Sequence, residues 1–148
     1  MLPIMYDPVL CALVNNLMRN GQKARARRFI VQALDYVEKR KQQDPVVLFH
    51  EAIEKVSPLM KLSSAKRAAR TILTPRALNE KQRRRAGITW LLNASEEQKG
   101  PPGKRIGKEI LNILDGKSPA LIRKHQLHKT ALMNRGNVIM KDRKMRKF

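Results

Sequence analysis

Asp44-Pro45-Val46-Val47-Leu48-Phe49-His50-Glu51-Ala52-Ile53-Glu54-Lys55-Val56-Ser57-Pro58 reads as one complete helix. Asp44 is an N-capping residue type, and Pro45 brings the fixed φ that suits the first helical position. Leu48, Phe49, Ala52, Ile53 and Val56 recur every three or four residues, which puts them on one face. Pro58 stops the helix, because it lacks the N–H donor and its ring clashes with the preceding turn. Upstream, Asp7-Pro8 repeats the same start, followed by Val9, Leu10, Leu13, Val14, Leu17 and Met18 at helical spacing and closed by Asn20-Gly21. A second helix runs between the two, from about Lys23 to Arg40, with Ala26, Phe29, Ile30, Ala33, Leu34 and Val37 on one face. Downstream, Ser118-Pro119 gives the start a third time, for a last helix reaching about Met133. Two more helices fit between: about Asn79 to Ser95, Arg-rich first and then carrying Ile88, Leu91 and Leu92, and about Lys104 to Leu114, with Ile106, Ile110 and Ile113, closed by Gly116. Gln98-Lys99-Gly100-Pro101-Pro102-Gly103 reads as a plain loop between them. The shared starts are helix punctuation and do not mark an internal repeat.

Residues 59–78 break the helical period. Leu62 and the β-favouring run Thr71-Ile72-Leu73-Thr74 flank a basic centre, Lys66-Arg67-Ala68-Ala69-Arg70. Two short strands forming a hairpin are predicted here, although no Asn-Gly or Asp-Gly turn marks the tip and the alanines would also suit a helix. The predicted fold is mainly α: a six-helix bundle with one protruding β-hairpin between helices three and four, and a basic C-terminal tail. Residues 1–136 form a single domain, with the hairpin arm at about 59–78. Residues 137–148 are the tail, expected to be disordered without a partner. Phe29, Tyr36, Phe49 and Trp90 lie within apolar stripes and are expected in the core.

The chain has 148 residues, one ordinary domain. Its 32 Lys plus Arg against 12 Asp plus Glu give a net charge of +20, which repels itself in a compact state unless a polyanion is bound. The excess is clustered. Residues 19–28 hold five basic residues, 61–85 hold nine and 117–148 hold ten, while Glu80 and Asp142 are the only acids in these patches. Solubility alone is served by a mixed surface, so three nearly acid-free patches argue for a nucleic-acid partner. A lone cysteine, Cys11, excludes an internal disulfide and a cysteine zinc cage. It lies on the apolar face of the first helix, where packing is the expected role. No apolar run approaches the roughly 20 residues of a membrane span, and Met1 to Tyr6 has the form of neither a secretory signal nor an Arg/Ser-rich transit peptide.

Catalytic patterns are missing: no phosphate-binding glycine loop, no dinucleotide fingerprint and no nucleophile elbow. Glu51 and Glu54 share a helix face with Lys55 adjacent, which fits a solvated surface, as do Glu96 and Glu97. His125 and His128 are three apart, but a structural zinc site wants four ligands, and His50 has no spacing relation to them. In the setting Arg123-Lys124-His125-Gln126-Leu127-His128-Lys129 they suit phosphate instead. No cofactor, metal, membrane or small-molecule substrate is expected. Aromatics are sparse and not interleaved with basic residues, unlike a single-strand stacking platform. Phosphate recognition by a rigid helical scaffold remains, fitted to folded RNA or to DNA. A basic helical DNA-binding or nucleoid protein is the alternative, with Lys23 to Arg28 as its one weak candidate for a reading segment.

Several blocks resemble small-subunit ribosomal protein seven, the universal head protein. They are Asp7-Pro8 with Leu17-Met18-Arg19-Asn20-Gly21-Gln22-Lys23; Gln43-Asp44-Pro45 with Phe49, Ala52-Ile53-Glu54, Val56, Pro58 and Met60; Pro75 with Trp90-Leu91-Leu92; and Arg123-Lys124 through His128-Lys129 with Asn134-Arg135. The likeness runs from about Tyr6 to Gly136 in register. It departs at the hairpin tip, where Ala68-Ala69 stand for a glycine pair, and in the C-terminus, where Val138-Ile139-Met140 and a basic run replace aromatics. A long basic N-terminal arm is also missing. Such drift looks like a mitochondrial form, located in the matrix, rather than a bacterial or plastid one. The resemblance implies a non-enzymatic protein that binds the 3′ major domain of small-subunit rRNA and nucleates head assembly. It also implies neighbours among head and platform proteins, including ribosomal protein eleven, and a position near exit-site tRNA and mRNA. Arg19, Lys23 and Arg25, then Arg83, Arg84 and Arg85, then Arg123, Lys124, His128, Lys129 and Arg135 would contact rRNA. Arg27, Arg28 and Arg76, from the same patches, are expected to join them. Lys66, Arg67 and Arg70 would face tRNA or mRNA from the hairpin.

Overall fold

A computed structural model describes residues 7–67 and 70–138. The elements run α1 (Pro8–Leu17), α2 (Lys23–Lys41), α3 (Pro45–Val56), β1 (Met60–Arg67), β2 (Arg70–Ala77), α4 (Glu80–Glu96), α5 (Pro102–Leu114) and α6 (Pro119–Met133). The three predicted cap-plus-proline starts are made by the same local chemistry. The Asp7 carboxylate accepts from the Val9 N–H at 2.8 Å. Asp44 accepts from Val46 N–H at 2.9 Å, and the Ser118 hydroxyl accepts from Ala120 N–H at 3.0 Å. Each satisfies a donor that the first helical turn leaves without a partner. Asn79 and Gln82 form a reciprocal capping box that starts α4. Asn20 and Gly21, at φ 52° and 71°, turn the chain from α1 into α2.

The strands form an antiparallel hairpin between α3 and α4, paired from Met60 opposite Ala77 to Arg67 opposite Arg70. The Ala68-Ala69 tip lies outside the described residues, as do the side chains of Arg67 and Arg70. The core gathers the apolar faces of all six helices; Leu10, Leu13, Ile30, Leu34, Phe49, Ile53, Ile88, Leu91, Ile106, Ile110 and Ile113 are essentially inaccessible.

The most extensive helix pair is α2 with α5, and two glycines set its distance. A Cβ at Gly103 would stand 2.6 Å from the Gln32 Cβ and 3.0 Å from the Phe29 carbonyl oxygen. One at Gly107 would stand 2.9 Å from the Tyr36 ring and 3.0 Å from the Ala33 carbonyl oxygen. Hence Pro102 and Gly103, read from the sequence as loop, belong to α5: the helix begins early and presses this glycine face on α2.

Three of the four aromatics expected in the core are only half-buried. Phe49 is fully buried, whereas Phe29, Tyr36 and Trp90 each keep one ring face under an arginine. Arg25 lies 5.7 Å from the Phe29 centroid, Arg40 5.3 Å from Tyr36 and Arg123 5.5 Å from Trp90. Each ring is thus partly buried and also serves a cation at the surface.

A buried carboxyl ties the C-terminal half together. Glu109 is wholly inaccessible. It accepts from the Ser118 hydroxyl at 2.5 Å and from the Gln98 side-chain amide. One side chain of α5 thereby joins the residue capping α6 to the segment after α4. Beyond α6 a short helical turn at 136–138 is placed, and the Asn137 amide donates to the Leu73 carbonyl of β2 at 2.8 Å. Residues 137 and 138, assigned to the tail from the sequence, are thus placed against the hairpin; the rest of the predicted tail, 139–148, lies outside the described residues.

Candidate nucleic-acid interface

Residues 83–85 of the second basic patch and 123–135 of the third, far apart in sequence, meet at the base of the hairpin. Arg83, half-buried on α4, donates its Nε–H to the Pro58 carbonyl at 3.3 Å. Lys124 on α6 donates to the Lys55 carbonyl in the last turn of α3 at 2.5 Å, where a cation also opposes the negative end of the helix dipole. His128 Nε2, one turn further along α6, accepts from the Leu59 N–H at 3.2 Å. These three residues of the predicted rRNA set hold the hairpin's root. Burial lowers the Lys124 ammonium below its ordinary range, and the Arg83 guanidinium adds repulsion. Burial also lowers His128, with the Lys124 and His125 charges acting in the same direction. A neutral imidazole is the form that can accept from Leu59.

Around this root stand exposed cations. Arg84 pairs with Glu80 one turn back on α4, and Arg85 is exposed beside it. Arg123, Lys129 and Arg135 are exposed on and after α6. Arg76 on β2 is exposed opposite Lys61, and Lys66 is exposed near the tip. Of the three residues predicted to face tRNA or mRNA, Arg67 and Arg70 have side chains outside the described residues.

The first patch lies elsewhere, at the other end of α4. Arg19, in the turn between α1 and α2, reaches Glu96 at 3.2 Å. Lys23, Arg25 and Arg28 are exposed on the opening turns of α2, while Arg27 is half-buried. With a rise of 1.5 Å per residue, Glu80 and Glu96 are about 24 Å apart along α4. Two basic lobes therefore sit at opposite ends of one rigid helix.

A cleft of about 520 Å³ opens in the first lobe, lined by Leu17, Arg19, Arg25, Phe29, Glu96 and Arg105 among others. Arg105 was not among the predicted contacts, because it lies outside the three dense patches. Its position on the first turns of α5, one helical turn before Glu109, is the signal that could have found it.

Comparison with known proteins gives the following likenesses. A family model described as ribosomal protein S7p/S5e matches residues 2–135. Small ribosomal subunit protein uS7m of Schizosaccharomyces pombe is 38% identical over 138 residues, covering 91% of this chain and 52% of that protein. The chain thus spans about half the length of that relative. Small ribosomal subunit protein uS7 of Thermosipho africanus is 27% identical over 134 residues, 90% of this chain and 86% of the relative. The uS7 of Rhodobacter capsulatus is 32% identical over 130 residues, 87% of this chain and 83% of the relative.

Proposed function

Because this chain belongs to the ribosomal protein S7p/S5e family of structural, non-enzymatic proteins, we propose that it binds the 3′ major domain of small-subunit rRNA and nucleates assembly of the subunit head. The observation that carries this reading is the pair of basic lobes at opposite ends of α4. A rigid spacer between two cationic surfaces fits a folded RNA that presents phosphates at two separate places, and single-strand stacking would not need it. Arg19, Lys23, Arg25, Arg27 and Arg28 serve one contact. Arg84, Arg85, Arg123, Lys129, Arg135 and Arg76 serve the other. Arg83, Lys124 and His128 add charge there while holding the hairpin's root. The hairpin, with Lys66, Arg67 and Arg70, projects toward exit-site tRNA and mRNA, and neighbouring head and platform proteins, ribosomal protein eleven among them, complete its surroundings. Identity of 38% to uS7m against 27% and 32% to bacterial uS7 proteins supports a mitochondrial small subunit as its place.

Sedimentation of the tagged protein from a mitochondrial lysate, probed beside small-subunit rRNA, tests this. Co-migration with the small subunit through moderately high salt is expected. Release as a free species, or migration with DNA, would overturn it. In vitro, binding to the isolated 3′ major domain should resist competition by duplex DNA at equal phosphate.

A further inference from the structure

The cleft in the first lobe has a composition that phosphate binding alone does not explain. Its lining includes apolar Leu17, Ala26 and half-buried Phe29. Exposed Arg19 and Arg25 line it as well. The Arg25 Cζ lies over the Phe29 ring, 5.7 Å from its centroid, and its guanidinium also reaches the Gln22 side-chain oxygen at 3.4 Å. Arg105 lines the same cleft, and its Nε is a buried nitrogen without a hydrogen-bond acceptor among the described residues. A desolvated guanidinium N–H with no partner is costly, which marks Arg105 as a cation held at this cleft for more than its own packing.

We propose that this cleft receives one unpaired RNA base carrying an exocyclic amino group. The proposal rests on the rRNA-binding reading above and names what one lobe of that surface takes. Glu96 on the cleft wall, already paired with Arg19 at 3.2 Å, favours a base over a phosphate, because the pair takes up part of the Arg19 charge and brings a carboxylate acceptor to the cleft. A carboxylate repels a phosphate brought inside, whereas it accepts from the amino group of adenine, cytosine or guanine. The base therefore goes in and its phosphate stays outside, against the exposed Arg25. The base lies over the Phe29–Arg25 stack, as splayed RNA bases do on aromatic rings and guanidinium planes. A ring nitrogen or carbonyl of the base meets the Arg105 guanidinium where it lines the cleft. The volume of about 520 Å³ falls in the range of clefts that hold small ligands.

The test is base-edge chemical probing of the 3′ major domain rRNA with dimethyl sulfate and kethoxal, with the full-length protein at saturating concentration. One unpaired adenine, cytosine or guanine should be protected by the parent protein and reactive again with Phe29→Leu. Arg105→Gln should lose protection at the same nucleotide, so the result does not hang on one variant. Melting curves show that each variant is folded. Arg84→Ala with Arg85→Ala, in the other lobe, should leave that protection in place at saturation. Filter binding adds a second reading: Phe29→Leu should weaken affinity about fivefold to a hundredfold, the range of one base stack, with an unchanged salt slope. Identical protection by parent, Phe29→Leu and Arg105→Gln would overturn the base pocket while leaving rRNA binding intact. So would a cross-link from the cleft to an acidic segment of a neighbouring protein in assembled subunits. A parent protein that prefers duplex DNA at equal phosphate would remove the rRNA reading and this one with it.

Discussion

Glu109 is a carboxyl in a place where charged residues are almost never fully buried without partners. Its two oxygens are occupied by Ser118 and Gln98, so the burial is supported by hydrogen bonds from two separate segments. Glu109→Ala would leave both donors without acceptors. We expect a loss of about 1–3 kcal/mol, seen as a fall of roughly 2–12 °C in Tm by calorimetry; an unchanged Tm would mean that the network carries no stability. The position could have been read from the sequence, since Glu109 falls three after Ile106 and four before Ile113, on the apolar stripe. Composition argued it outward and periodicity argued it inward, and here periodicity was right. Trp90 is the opposite case. Its place on the stripe suggested a core residue whose loss costs the 3–5 kcal/mol of a large buried aromatic. Because one face is given to Arg123, Trp90→Ala should cost about half of that range. Equilibrium denaturation of the free protein distinguishes the two values.

Within the elements, what was legible follows from how local the cause is. N-caps, prolines at first helical positions and the apolar stripes act over three to seven residues, and they placed all six helices and the hairpin. The start of α5 was missed because its cause is tertiary: Gly103 is helical on account of the α2 surface it presses against. Replacing a mid-helix glycine by alanine ordinarily favours the helix by up to about 1 kcal/mol. At Gly107 the new methyl would meet the Ala33 carbonyl and the Tyr36 ring. Gly107→Ala should therefore destabilise by about 1–3 kcal/mol, as overpacking does. A higher Tm in this variant would show that α2 and α5 separate freely. The hairpin depends on its root in a different way. His128 must be neutral to accept from Leu59 N–H, and its folded pKa lies below the ordinary 6.5. Between that lowered value and 6.5 the unfolded chain binds more protons than the folded one, so this contribution is complete above pH 6.5 and declines as pH falls below it. The parent should lose stability relative to His128→Gln between pH 7 and pH 5, since the glutamine oxygen accepts without titrating. Parallel Tm–pH curves for the two proteins would exclude His128 as the cause.

For the molecule as a whole, the charge was legible and its layout was not. The sequence shows three basic patches; the fold makes them two lobes, because α4 and α6 bring residues 83–85 and 123–135 to one hairpin root while the α1–α2 turn is carried to the far end of α4. Nothing in the spacing of the patches along the chain encodes that. A net charge of +20, with two cationic lobes among the described residues, has opposite consequences for folding and for binding. Raising ionic strength from about 0.01 to 0.15 M shortens the Debye length from roughly 30 to 8 Å. That relieves repulsion within the free protein, whose Tm should rise, while RNA affinity falls through lost counterion release. The two lobes should also act independently. Each phosphate contact removed should flatten the log–log salt slope by about 0.7–0.9. Arg84→Ala with Arg85→Ala should then reduce it by about 1.4–1.8, and Lys23→Ala with Arg28→Ala by a similar amount. With Arg84 and Arg85 about 17–18 Å from the Glu96 end of α4, the combined variant should show the sum, since sites beyond roughly 10 Å that share no partners add. Filter binding to the 3′ major domain across a salt series measures all three slopes. A combined variant no worse than either pair would mean that the RNA engages one lobe at a time, and α4 would then be a spacer without a second contact to hold.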